Sequence, residues 1–239
     1  MTQGPRHWVV LPAAGAGRRF GSPVPKQYLR LRGRRVIEHS IAAFIEHPLI
    51  AGCVVALSPE DAWWPETAYA NHPAVKRVEG GAERSDSVAN ALTALIGQAA
   101  DDDWVLVHDA ARPCLAAADL DQLLAALTDE PVGALLAVPI QDTVKASEGA
   151  FAARVERTLP RQQLWRAYTP QAFRLGQLRE ALAHCRAQGL AITDDASAME
   201  QLGLRPRLIE GRTDNIKITR PEDLPLAEFF LEQQGHQES

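Results

Sequence analysis

The sequence predicts an α/β chain: a mostly parallel, twisted sheet covered by helices on both faces, with a projecting β-arm. Three observations lead there. Short runs that are apolar throughout, such as Cys53–Leu57 (CVVAL) and Gly133–Val138 (GALLAV), recur along the chain, as strands buried on both faces require. Segments with apolar residues at helical spacing separate these runs. No composition break, internal repeat or low-complexity linker divides the 239 residues, so a single domain over 1–239 is expected.

In chain order, Trp8–Leu11 is a short apolar strand that stops at Pro12 and a glycine loop. Val36–Glu46 places Val36, Ile37, Ser40, Ile41, Phe44 and Ile45 on a helical face. Cys53–Leu57 is a buried strand closed by Ser58-Pro59, and a brief strand near Val75–Val78 runs into Gly80-Gly81. Between them Trp63-Trp64 lies in a proline-flanked loop that reads as core or partner surface. Ser85–Leu95 is helical, Trp104–Val107 is a strand ending in His108-Asp109, and Asp119–Leu127 is a helix before Gly133–Val138. Residues 141–163 break the rhythm: Asp142–Lys145 and Phe151–Leu159 read as two extended arms joined at Ser147-Glu148-Gly149. A lone two-stranded ribbon is marginal in water, so this arm is expected to lie on a partner subunit and to take part in dimerisation. Arg174–Cys185 is an amphipathic helix, and Asp194–Leu202 a short one that Thr193 caps and Gly203 ends. Asn215–Thr219 alternates strictly, which predicts a strand with Asn215, Lys217 and Thr219 on one face and Ile216 and Ile218 on the other.

Composition narrows the function. The chain is 46% hydrophobic and 23% charged, which excludes collagen, coiled coil and wholesale disorder. No apolar run approaches the ~18 residues a membrane span needs, and no signal peptide is evident, so no membrane association is expected. Cys53, Cys114 and Cys185 lie far apart with no C-x-x-C pair, as reduced buried thiols in a cytoplasmic protein would. Net charge is −5, yet Arg18–Arg35 gathers Arg18, Arg19, Lys26, Arg30, Arg32, Arg34 and Arg35 with no acid among them. A local basic cluster in an acidic protein points to a small anionic ligand rather than nucleic acid. The Arg30–Arg35 part reads as a solvated basic turn ahead of the helix.

The strongest local signal is Leu11–Tyr28, LPAAGAGRRFGSPVPKQY. A strand runs into Gly15, Gly17 and Gly21, where backbone N–H groups can approach phosphate oxygens closely. The Walker A pattern fails because Arg18-Arg19 follows Gly17, and the dinucleotide fingerprint fails because Phe20 stands where a glycine is needed. Two arginines and a lysine restrained by Pro25 make the loop a candidate triphosphate cradle. No G-x-S-x-G, H-E-x-x-H or paired cysteines occur, so serine hydrolase and zinc enzyme readings lack their parts.

The same residues carry a resemblance. The P-A-A-G-x-G-x-R-x-G-x-x-x-P-K-Q loop is similar to that of nucleotidyltransferases coupling a nucleoside triphosphate to a phosphorylated small molecule. Gly80-Gly81-Ala82-Glu83-Arg84-Ser85-Asp86-Ser87-Val88, Val107-His108-Asp109-Ala110-Ala111-Arg112-Pro113 and Asp214-Asn215-Ile216-Lys217-Ile218-Thr219 resemble segments of the 2-C-methyl-D-erythritol 4-phosphate cytidylyltransferase family. Tyr168-Thr169-Pro170-Gln171 and Thr193-Asp194-Asp195-Ala196-Ser197 extend the likeness over nearly the whole chain.

The resemblance implies a Rossmann-like nucleotidyltransferase fold and transfer of CMP from CTP to methylerythritol 4-phosphate, releasing pyrophosphate. It implies Arg19 and Lys26 on the α-phosphate and leaving pyrophosphate, Lys217 on the incoming phosphate, and Arg161 with Thr143 reaching that phosphate from the other subunit of a homodimer. Asp109 would bind the acceptor hydroxyls, with Arg112 and Thr169 also on the acceptor side. Ala13, Ala14, Gly15, Gly17, Gly81, Ala82 and Ser87 would hold CTP, Ala82 through backbone alone. Magnesium (Mg2+) is expected on the triphosphate oxygens, with no protein metal ligand. His108 reads as a packed residue, because an ionised phosphate nucleophile needs no base. Two rivals stay open from the residues alone: a sugar-phosphate or molybdopterin-type nucleotidyltransferase using UTP or GTP, and an inactive nucleotide-binding regulator.

Overall fold

The structure, a computed structural model, describes residues 4–15, 24–148 and 154–237. Gly17, Arg19 and the turn of the arm lie outside the described residues. The strands are β1 (His7–Pro12), β2 (Arg30–Leu31), β3 (Arg34–Arg35), β4 (Ile50–Leu57), β5 (Val75–Glu79), β6 (Trp104–Val107), β7 (Gly133–Pro139), β8 (Val144–Ser147), β9 (Val155–Leu159), β10 (Trp165–Arg174) and β11 (Arg207–Glu210). The helices are α1 (Val36–Ile45), α2 (Arg84–Thr93), α3 (Ala117–Ala126), α4 (Leu175–Ala187), α5 (Asp195–Gln201) and α6 (Asp223–Gln237).

A seven-stranded sheet has the order β11-β7-β10-β6-β1-β4-β5. β1 pairs in parallel with β4 and β6, β4 with β5, and β7 with β11. β10 is antiparallel to both β6 and β7, so the expected mostly parallel sheet carries one reversed strand near its middle. Alternation along β1 shows why both faces must be covered. Val9 and Leu11 enter a core with Ile37, Ile41 and Phe44 of α1 and Leu120 and Leu123 of α3. Trp8 and Val10 face the opposite core, with Val88 and Leu92 of α2, Leu178 and Leu182 of α4, and Met199 of α5. A third cluster seats Ala227 of α6 on Leu31, Val36, Cys114 and Ile218.

Strand order places the site. The chain steps from β1 outward to β4 and β5, then returns to β6 on the other flank of β1. Such a reversal opens a crevice beyond the carboxyl ends of the strands. The loops that meet there follow β1 (Ala13–Gly15), β5 (Gly80-Gly81) and β6 (His108–Ala111).

Several expectations change. Asn215–Thr219 joins no sheet; it runs beside the cleft, tied by Ile218 N–H to the Ala111 carbonyl at 2.8 Å. Its alternation survives because Ile218 is buried against α6 while Lys217 faces out. The cap of α5 is Asp194 rather than Thr193: its carboxylate accepts from Ser197 N–H at 2.9 Å. Trp64 is buried, and Trp63 stacks on Tyr28, so this pair faces the core. The Arg30–Arg35 turn is a small hairpin, β2–β3, turning through Arg32 and Gly33, both at positive φ. Arg35 departs from the solvated reading: it is buried, pairs with Glu66 at 2.5 Å and lies over the Tyr28 ring.

The arm forms as β8–β9, an antiparallel ribbon pairing Val144 with Leu159 and Lys145 with Thr158. Its first strand starts two residues later than its pattern suggests, and Val155 is 61% exposed.

Candidate active site

The crevice is a cleft of about 360 Å³ bordered by Ala13–Gly15, Lys26, Gln27, Gly81–Arg84, Ser87, Asp109–Ala111, Lys217 and Thr219. Its walls are of two kinds.

One wall is backbone and small side chains. A Cβ at Gly80 would collide with that of Ala14 and come within 2.9 Å of Ser87 Oγ. A Cβ at Gly81 would overlap Asp86. The glycine pair thus lets the loop after β1 close directly onto the first turn of α2. Ser87 Oγ accepts from Gly81 N–H at 3.0 Å and donates to the Glu83 carbonyl at 3.2 Å, fixing the loop's shape. A Cβ at Gly15 would meet nothing within 4 Å among the described residues. Buried Gln27 donates to the Ala13 carbonyl at 3.0 Å, which ties the lysine-bearing turn to the end of β1.

The other wall is a charge network centred on Asp109. Its Oδ2 lies 2.7 Å from Lys217 Nζ and 3.7 Å from Arg112 Nε, and its Oδ1 lies 3.1 Å from Arg84 Nε. Burial alone would raise this carboxyl, but Arg84, Lys217 and Arg112 outweigh it and hold Asp109 well below the usual carboxylate range. Arg84 also reaches Asp195 Oδ2 through Nη2 at 2.8 Å. Burial works against its charge, and Asp195 and Asp109 together more than restore it. Burial pushes the Asp195 carboxyl up while Arg84 pulls it down. Burial is the larger effect, so the Asp195 carboxyl stays above the usual carboxylate range even with Arg84 Nη2 2.8 Å away.

Beneath Asp109 lie a neutral imidazole and a buried guanidinium. Asp109 N–H donates to Thr169 Oγ1 at 3.1 Å, and that hydroxyl also meets His108 Nδ1 at 3.0 Å. His108 Nε2 lies 3.0 Å from the Arg112 carbonyl, which can only accept. The Thr169 hydroxyl therefore donates to Nδ1, and His108 is the neutral Nε2–H tautomer. Burial lowers its pKa to about 4, in keeping with a packed imidazole. Arg112 donates to the Asn215 carbonyl at 2.7 Å and lies 4.5 Å over the Tyr168 ring. Asn215 donates to the Thr169 carbonyl at 2.9 Å, so the segment carrying Lys217 is stitched to the loop carrying Asp109.

Of the residues singled out from sequence, Ala13, Ala14, Gly15, Lys26, Gly81, Ala82, Ser87, Asp109 and Lys217 border this one cleft. Arg112 and Thr169 support it from below. Gly17 and Arg19 fall outside the described residues. Thr143 and Arg161 do not border the cleft; both are exposed at the base of the arm, where Arg161 donates to the Gln141 carbonyl. The sequence reading passed over Arg84, Gln27, Asp195, Asn215 and Thr219 as site residues. The signal was present for three of them: Arg84 follows the glycine pair at fixed spacing, Gln27 follows Lys26, and Asp195 stands in an acidic pair before a helix. Among the described residues no cluster of three His, Cys, Asp or Glu could hold a metal ion. The carboxylates on the cleft wall are Glu83 and the triply paired Asp109.

The chain is similar to proteins of known family. The family model described as 2-C-methyl-D-erythritol 4-phosphate cytidylyltransferase matches residues 7–233. A protein of that name from Pseudomonas putida (strain GB-1) is 55% identical over 221 residues, covering 92% of this chain and 93% of its own. One from Pseudomonas fluorescens (strain Pf-5) is 57% identical over the same shares. The crystal structure of the Francisella tularensis enzyme superposes with a TM-score of 0.82 at 37% identity, covering 94% of this chain and 99% of that one. The Thermus thermophilus structure gives 0.76 at 35% identity, covering 94% and 98%. Fold, cleft and sequence together place this chain in the 2-C-methyl-D-erythritol 4-phosphate cytidylyltransferase family.

Proposed function

We propose that the two walls of this cleft divide the work of cytidylyl transfer, the glycine wall holding CTP and the Asp109 network receiving the acceptor. As a member of its family, the chain transfers the CMP moiety of CTP to 2-C-methyl-D-erythritol 4-phosphate. The products are 4-diphosphocytidyl-2-C-methyl-D-erythritol and pyrophosphate, a step in isoprenoid precursor biosynthesis. A phosphate oxygen of the acceptor attacks the α-phosphorus in line, the new P–O bond forms, and the bond to the bridging oxygen of pyrophosphate breaks. The attacking phosphate is already ionised, so the chain's task is positioning and charge neutralisation.

The observation that carries this reading is that Lys26 and Lys217 stand together at one cleft: Lys26 Nζ donates to the carbonyl of Ile218 at 2.9 Å. In our reading Lys26, with Arg19, neutralises the α-phosphate and departing pyrophosphate, and Lys217 guides the incoming phosphate. Ionised Asp109 accepts from the acceptor hydroxyls, while Arg112 and Thr169 hold it in place. Ala13–Gly15, Gly81, Ala82 and Ser87 contact the base and ribose of CTP, and Gly17 belongs to the same CTP-binding loop. Thr143 and Arg161, exposed on the arm, act on the acceptor phosphate in the cleft of a second subunit, so the working enzyme is a homodimer. What supports that part is the ribbon itself, whose second strand has almost no buried side chain of its own.

The charge balance of the cleft suits magnesium carried by CTP. With Asp109 already bound by cations, a magnesium ion would take its oxygen ligands chiefly from the triphosphate and would supply charge neutralisation there. No helix among the described residues is long and apolar enough to cross a membrane. The free, buried thiols of Cys53, Cys114 and Cys185 suit the reducing cytoplasm, where we place the enzyme.

The test is pyrophosphate release from CTP, UTP, GTP and ATP with magnesium, each with and without 2-C-methyl-D-erythritol 4-phosphate. Release from CTP with that acceptor alone is expected. Release with UTP or GTP and a sugar phosphate would assign the cleft to another nucleotidyltransferase, and none from CTP-binding protein would favour a regulator.

A further inference from the structure

We propose that Asp195 is a positioning residue for the acceptor: from outside the cleft it fixes the Arg84 guanidinium, which in turn fixes the Asp109 carboxylate. The inference rests on the reading of Asp109 given above. Asp195 is 1% exposed and does not border the cleft, whereas Arg84 does and its side chain is 29% exposed.

Arg84 divides one edge of its planar fork between two carboxylates. Nη2 lies 2.8 Å from Asp195 Oδ2, an ion-pair contact without hydrogen-bond angles, and Nε donates to Asp109 Oδ1 at 3.1 Å. The remaining oxygen of Asp109, Oδ2, is thereby left to Lys217 at 2.7 Å. Without Asp195, the same guanidinium edge is free to grip Asp109 with both nitrogens, the geometry a carboxylate favours. It would then compete with Lys217 for Oδ2 and close Asp109 to hydroxyl donors.

The fold places Asp195 with care. Gln171, 1% exposed, accepts from Ala196 N–H at 2.8 Å and donates to Asp194 Oδ2 at 2.8 Å, clamping the first turn of α5 to β10. Two residues earlier on β10, Thr169 receives the Asp109 N–H. One short segment therefore addresses Asp109 twice, its backbone through Thr169 and its side chain through Asp195 and Arg84.

The experiment is steady-state kinetics with both substrates varied, joined to CTP titration, on Asp195→Asn, Arg84→Lys and the double variant. Asp195→Asn should raise KM for 2-C-methyl-D-erythritol 4-phosphate about tenfold while CTP affinity stays within about twofold. A lysine cannot fork, so the double variant should be no worse than about twofold beyond the poorer single variant. Equal losses toward both substrates, or multiplicative losses in the double variant, would overturn the proposal in favour of a plain structural anchor. Should Asp195→Asn not fold, Arg84→Lys decides alone: it must raise the acceptor KM and spare CTP, or the proposal falls. Asp109→Asn separates the two readings. An unchanged acceptor KM there removes the role given to Asp109, whereas a raised KM there with none in Asp195→Asn defeats only this inference.

Discussion

Lys26 reaches across 192 residues of sequence to donate a 2.9 Å hydrogen bond to the carbonyl of Ile218, next in the chain to Lys217. The lysine of the glycine loop is thus tied to the segment that carries the lysine of D-N-I-K. Pro25, at φ −58°, leads into the single tight turn Lys26–Tyr28, and buried Gln27 anchors that turn. The ammonium is placed by three successive residues. Lys26→Ala should therefore leave far-UV dichroism unchanged and cut kcat/KM for CTP by about a hundredfold or more, the usual cost of losing a preorganised charge. Near-normal turnover in a steady-state pyrophosphate assay would remove its role.

The glycine wall makes a separable prediction. Gly80→Ala puts a methyl into Ala14 and within 2.9 Å of Ser87 Oγ, so the Ala13–Gly15 loop and the start of α2 must part. Neither neighbour is the free end of a long side chain, so relief has to come from backbone. CTP binding by calorimetry should weaken about tenfold or more, with the Asp109 network and acceptor affinity little altered. Unchanged CTP affinity would mean that the wall does not bind the nucleotide.

His108 supplies a pH signature. Its folded pKa of about 4 lies below the ordinary 6.5, so below pH 6.5 the unfolded chain takes up a proton that the folded one refuses. Stability is full above pH 6.5 and falls as pH drops toward 4, by about 3 kcal/mol over the whole window. Asp109 has the same sign in a lower window: its stabilisation is present above the ordinary carboxylate value and is lost only well below it, outside this range. Urea unfolding of wild type and His108→Gln at pH 7.5 and pH 5 isolates the imidazole, since His7 and His39 are common to both. Wild type should lose about 2 kcal/mol more than the variant. Equal losses would show that His108 is not held neutral.

Much of this was readable from the chain because double-sided burial leaves a plain mark. β1, β4, β6 and β7 are apolar runs, and α1, α2 and α4 carry one apolar face each. β10 hid because Pro170 sits inside it, where a central strand should have none. The proline falls in the gap between Ala167 and Gln171, where pairing to β7 is interrupted, and its peptide bond with Thr169 is cis. β11 has a single buried side chain, Ile209, too little for a pattern. α6 exposes Leu226 and Phe229 as well as burying Ala227, so its apolar residues trace no clean stripe. Asn215–Thr219 misled in the other direction: alternation records two unlike sides, here the cleft and the α6 core, and not a ladder of hydrogen bonds. At the site, Asp109 stood out at the end of an apolar strand, Lys26 as a Pro-restrained lysine beside the glycine loop, and Lys217 among polar neighbours on an alternating segment. Arg84 and Asp195 each carried a local signal, but their partnership was not legible, because it exists only once α2 and α5 are packed on the same face of the sheet.

The arm gives the remaining prediction. Val155, Glu156, Arg157 and Thr158 are all exposed on β9, and Arg161 just beyond it is exposed too. Thr143, at the start of the same ribbon, is likewise exposed and does not border the cleft of its own chain. If these side chains serve the cleft of a second subunit, a chain lacking Lys26 still lends a working arm, and a chain lacking Arg161 still offers a working cleft. Mixing Lys26→Ala with Arg161→Ala, after dissociation and reassociation, should therefore restore up to about a quarter of wild-type activity, the share of sites that receive both intact parts when exchange is random. Sedimentation of a chain lacking Thr143–Leu159 provides the physical counterpart: loss of the dimer is expected, since a two-stranded ribbon needs a second surface to cover it. No recovery despite verified subunit exchange would mean that each site is built from one chain. A truncated chain that still sediments as a dimer would move the interface elsewhere.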